Sequence, residues 1–81
     1  MLNDTNRGIT MKIIDSYTKE EKLSVIMLSE EVFSVAFYEN DTWVGGIEYP
    51  NKHISYVKDA ASNWIDGILT RDTIKQYSSA L

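Results

Sequence analysis

One histidine, two groups of neighbouring acids, one glycine pair and scattered serines are the groups in this chain with a prospect of chemistry. His53 sits between Pro50 and a helical pattern, and no acid and nucleophile accompany it at local spacing. A general base without partners does nothing, so a structural or solvent-facing role is expected. Glu30-Glu31 and Glu39/Asp41 offer carboxylate oxygens to a hard cation. Their spacing lacks the alternating ligands and central glycine of a calcium loop, and they read as turn acids. Gly45-Gly46 lacks both the longer glycine pattern of a phosphate loop and a following Lys-Ser/Thr. Inside a strand such a pair marks a bulge or the close approach of a bulky neighbour, which makes Trp43 a candidate anchor. Ser16, Ser24, Ser34 and Ser55 have no nucleophile-elbow context. The absence of cysteine removes disulfides, thiolate chemistry and a Cys/His zinc site. The expectation is a chain that is not an enzyme, with no catalytic residues, cofactor or metal.

The elements that must position any other function are few. A chain of 81 residues buries roughly 60% of its unfolded surface, so one small domain is expected. Residues 1–10, polar and without periodicity, read as a flexible leader before a domain at 11–81, and Met11 could serve as an alternative start. Met11–Tyr17 is β-branched enough for a strand, and a charged turn at 18–22 follows. Leu23–Ser29, a continuous apolar block, suits a central strand buried on both sides, with a short helix as the alternative. In Val32–Tyr38, Phe33, Val35 and Phe37 alternate with Ser34, Ala36 and Tyr38. Asn40-Asp41 then makes a two-residue hairpin loop into Thr42–Tyr49, which Pro50 ends.

Val57, Ala60, Ala61, Trp64, Ile65 and Ile68 fall on one helical stripe, with Ser55 as N-cap and Gly67 weakening the last turn. Thr70 opens a second short helix carrying Ile74, Tyr77 and Leu81. The fold class is α+β: an antiparallel meander of about four strands with one amphipathic helix packed on one face, and a short C-terminal helix. One helix covers one face of a sheet. If the Asn40-Asp41 loop sets the register, Phe33, Val35, Phe37 and Val44 face the helix. Tyr38 then opposes Trp43, Ala36 opposes Gly45 and Ser34 opposes Ile47 on the other face. Such an apolar patch is seldom left without a use.

Charge reinforces that reading. The formal charge is −4, yet Leu23–Asn51 holds five acids, Glu30, Glu31, Glu39, Asp41 and Glu48, and no base. The remaining seven acids and eight bases nearly cancel. The bases are scattered, so a nucleic-acid surface is disfavoured. No apolar run approaches the ~20 residues of a membrane span and no signal-peptide pattern opens the chain, so a soluble, cytoplasmic protein is expected. The leading expectation is a protein-interaction module that presents Tyr38, Trp43 and Ile47, rimmed by Glu30, Glu31, Glu39, Asp41 and Glu48, to a partner with a basic surface. One alternative is a homodimer through the same face. Another is a single-stranded nucleic-acid module stacking bases on Tyr38, Trp43 and Tyr49, and a small-molecule pocket between helix and sheet ranks last.

The segment Ser55 to Ile68, with its Tyr-x-x-Asp-Ala-Ala-x-Asn-Trp-x-x-Gly-Ile pattern, resembles a helix of small accessory proteins of tailed bacteriophages, of the host-takeover or counter-defence kind. The resemblance implies a protein made in the host bacterial cytoplasm that binds and inhibits a host or defence protein. It carries over no catalytic residue.

Overall fold

The computed structural model describes residues 11–77. Four strands, β1 (Met11–Lys19), β2 (Lys22–Ser29), β3 (Val32–Glu39) and β4 (Thr42–Tyr49), form an antiparallel sheet in the order β1-β2-β3-β4. Two helices follow, α1 (Ile54–Ile65) and α2 (Arg71–Tyr77). The α+β meander expected from the residues is therefore the fold. The leader assigned to residues 1–10, and Leu81, lie outside the described residues.

Each hairpin turns on two residues. At Glu30-Glu31 and Asn40-Asp41 both residues take positive φ, from 53° to 68°. That is the primed-turn geometry whose twist matches the strands. Glu20 does so in the first turn, which is shorter than the charged 18–22 segment expected, because Lys19 already pairs with Lys22. Both edge strands are bulged. The register shifts between Ile13 and Asp15 in β1, and between Phe37 and Tyr38 opposite β4, where Val44 is the extra residue. Bulges at edges interrupt the row of open backbone groups that would otherwise template further pairing.

The helices cover a single face. Ile26, Val35 and Phe37 from the sheet meet Val57, Ala61 and Trp64 of α1 and Ile74 of α2 in a fully buried cluster. Phe33, Val44 and Ile47 pack around it. The Trp64 ring meets Phe37 edge-on at 5.8 Å and its Nε1–H donates to the Tyr38 carbonyl at 3.0 Å. Ser24 is buried without penalty because its hydroxyl donates to the Ala61 carbonyl at 3.0 Å, tying β2 to the middle of α1. β2 is central, but only its Ser24/Ile26 side is fully buried.

Both ends of α1 differ from the expected ones. The N-cap is His53, not Ser55: the His53 Nδ1 accepts from the Ser55 backbone N–H at 3.1 Å. At the other end Gly67 takes φ 81°, and the Gly67 and Ile68 N–H groups donate to the Trp64 and Asn63 carbonyls. This Schellman arrangement stops the helix at Ile65 and throws Ile68 off the stripe, leaving it 69% exposed. Thr70 caps α2, accepting from the Thr73 N–H at 3.4 Å, and Ile74 docks that helix into the core.

Candidate functional site

The second face of the sheet is covered by no described element. Its rows follow from the register. Thr18, Leu23, Tyr38 and Trp43 form one; Ser16, Val25, Ala36 and Gly46 the next; Ile13, Met27, Ser34 and Glu48 a third; Met11, Ser29 and Val32 the last. Its middle is aliphatic and one corner is aromatic. Trp43 is 49% exposed, and its Cζ2 lies 3.9 Å from where a side chain on Gly46 would begin. The glycine thus gives the indole a flat bed against the sheet, the close approach that a strand glycine permits.

Four expected placements, of Ile47, Gly45, Glu39 and Tyr49, are corrected. The bulge at Val44 advances β4 by one residue, so Ile47 pairs with Val35, not Ser34, and turns into the core. By the same shift Gly46 replaces Gly45 opposite Ala36, and Glu48 arrives opposite Ser34 on the open face. Glu39 sits on the helix side, where its Oε1 accepts from Arg71 Nη1 at 3.1 Å, so it leaves the acidic rim. Tyr49, grouped with Tyr38 and Trp43 as a stacking platform, pairs with Phe33 on the helix side and meets the Tyr56 ring at 5.8 Å. The three aromatics share no surface.

The acids that remain divide between the two ends of the face. Glu30 and Glu48 line a depression of about 200 Å³ with Ser29, Val32 and Ser34, and Glu31 adjoins Glu30 in the turn. Asp41 stands in the opposite turn, two residues from Trp43. No base among the described residues lies on this face. Lys12 shares a row with Leu28 and Phe33, Lys19 pairs with Asp66 at 3.4 Å, and Lys22 and Lys52 lie over the Trp64 and Tyr56 rings. Lys58, Arg71 and Lys75 are on the helices. The domain is polar in the electrostatic sense, with acids at the bare face and bases in the helical layer.

No catalytic arrangement converges on His53, whose Nδ1 is engaged in capping and also lies 3.1 Å from the Ser55 hydroxyl oxygen. Among the described residues no three His, Asp or Glu side chains come together to hold a metal. No helix there is long and apolar enough to cross a membrane. Burial of Tyr49, reinforced by the neighbouring Tyr56 phenol, pushes its hydroxyl from 10.0 up to about 12.

That shift has a measurable sign. Between pH 10 and 12 the unfolded chain releases a proton that the folded chain keeps, so the Tyr49 contribution to stability, complete below pH 10, is lost as pH rises through 12. Phenolate absorbance on alkaline titration is expected to include a step near 12, and Tyr49→Phe to delete it. A titration with no step near 12, or one that Tyr49→Phe leaves in place, would contradict the placement.

Comparison of the chain with family models, with curated proteins and with solved structures returns no match.

Proposed function

We propose that the chain is a small acidic protein-interaction module that binds and occludes a partner bearing a basic surface. Contact is made through the open sheet face, with Trp43 and Tyr38 as anchors and Glu30, Glu31, Asp41 and Glu48 as its charged margin. The observation that carries this reading is the separation of charge: an aliphatic and aromatic face with acids at both ends and no base among the described residues. A flat face with a half-exposed indole is where binding energy concentrates, because aromatic anchors lose little side-chain entropy on burial. Acids at its ends act earlier, on the rate of encounter. The phage-type resemblance of Ser55 to Ile68 extends the reading to inhibition of a host or defence protein in a bacterial cytoplasm. A second copy is a poorer occupant than a basic partner, since face-to-face pairing would bring like-charged margins together.

The test is affinity capture from a bacterial lysate with the parent protein and with Trp43→Ala combined with Asp41→Lys. Both positions are exposed, so the variant is expected to keep its helix and strand signature in circular dichroism while losing the captured partner. Equal capture by a folded double variant would end this reading. Sedimentation of the parent is expected to give a monomer mass; a dimer abolished by the same substitutions would favour self-association.

A further inference from the structure

On the helical side, β4 and the two helices border two adjoining depressions of about 350 Å³ each, the second reaching the edge of the acidic face at Glu48. They share Tyr49, Tyr56 and Leu69 in their lining. One is walled by Asp59, Ala60 and Asn63 of α1, the other by Ile47 and Glu48 of β4 with Thr73 and Tyr77 of α2. Each holds one carboxylate, Asp59 in the first and Glu48 in the second, and neither is lined by a base. The groove between β1, β2 and the end of α1 differs, being lined by lysines and glutamates together.

Tyrosines dominate this groove without filling it. Tyr49 and Tyr56 meet at 62° with centroids 5.8 Å apart, while Tyr56 and Tyr77 remain 50% and 64% exposed. Lys52 Nζ already rests 4.6 Å from the Tyr56 centroid, so this ring holds a cation on its face within the chain itself. A continuous surface lined by tyrosines suits a ligand that presents apolar rings at a short fixed repeat. A left-handed polyproline helix does so, with three residues per turn and about 3.1 Å rise per residue. Proline also brings no N–H to desolvate against tyrosine rings, and the preformed helix loses little entropy on docking. The carboxylate in each pocket favours a positive charge at each end of such a segment.

We infer that the Tyr49–Tyr56–Tyr77 groove binds a proline-rich peptide segment flanked by lysine or arginine. It is a second binding surface, which meets the acidic sheet face at Glu48 and has neither Trp43 nor Tyr38 in its lining. The probe is a synthetic proline-rich decapeptide with arginine at both ends, added to the isotope-labelled full chain while amide and tyrosine ring resonances are followed. Saturable shifts are expected at Tyr49, Tyr56, Asn63, Leu69 and Tyr77. Affinity is expected to fall about tenfold or more in Tyr56→Ala and in Asp59→Lys, and to persist in Trp43→Ala. Both altered side chains are exposed, and unchanged shifts elsewhere in the spectrum would report an intact fold. Three results would each overturn the inference: no saturable shift, shifts confined to Leu23, Tyr38 and Trp43, or equal affinity for a peptide with alanine in place of every proline. The last would leave charge attraction alone.

Discussion

Trp64→Ala is expected to cost about 3–5 kcal/mol, a large fraction of the roughly 4–12 kcal/mol of stability that an 81-residue domain has in total. The size of the effect follows from what the indole does. It is fully buried in the last turn of α1, meets Phe37 edge-on, and lies under the Lys22 ammonium at 4.5 Å. Its Nε1–H also reaches the Tyr38 carbonyl, beside the point where the β3–β4 register shifts. Removing the ring therefore opens a cavity among Ile26, Phe37 and Val57 and releases the carbonyl next to the bulge. Trp64→Phe separates these contributions. It keeps an aromatic plug and loses the hydrogen bond, so about 1–3 kcal/mol is expected. Urea unfolding followed by circular dichroism measures both, with Trp43 still present as a fluorescent reporter. A loss under about 1 kcal/mol for the alanine variant would mean that the helix is held by something other than this side chain.

The same tryptophan shows what a sequence exposes and what it hides. Its place was legible because Val57, Ala61 and Trp64 recur at helical spacing, and a stripe of that width can only face a sheet. The turns at Glu30-Glu31 and Asn40-Asp41 are legible too, since each falls between patterned segments, whereas the first reads as a charged turn over 18–22 and is made by Glu20 and Glu21 alone. The register of β4 was not. A two-residue loop at Asn40-Asp41 fixes Tyr38 opposite Trp43, and extrapolating from there sends Ile47 outward. Gly45-Gly46 signalled a bulge without saying which residue would be extra, and one extra residue exchanges the faces of everything beyond it. Val44 is that residue, and so Ile47 and Glu48 change places. Glu39 failed for another reason. Its partner Arg71 is 32 residues away in α2, a distance over which no local pattern carries information. His53 lay outside the residues ordinarily chosen as caps, although its Nδ1 can accept the same hydrogen bond as a serine or aspartate oxygen.

Glu30→Asn combined with Glu31→Gly is expected to move stability and binding in opposite directions. Both glutamates sit in the left-handed region, with φ of 53° and 68°, a conformation that costs a residue with a Cβ roughly 1–2 kcal/mol. Asn-Gly is the pair that this turn geometry prefers. The exchange should therefore raise stability by about 0.5–2 kcal/mol, part of the gain being offset by the greater freedom of glycine in the unfolded chain. It also removes two charges from the end of the open face where Glu30 and Glu48 share a depression. If the acids there steer a basic partner, association should slow by about tenfold at low salt, and much of the difference should vanish at high salt, where screening already mutes the parent. Thermal unfolding and capture from lysate at two salt concentrations read the two effects separately. A variant that is more stable and binds equally well would show that Glu30 and Glu31 serve only as turn residues, and ones poorly suited to the turn. A variant more stable and weaker in binding would show strain kept in the fold at a surface where charge is needed, which is where backbone strain is most often found.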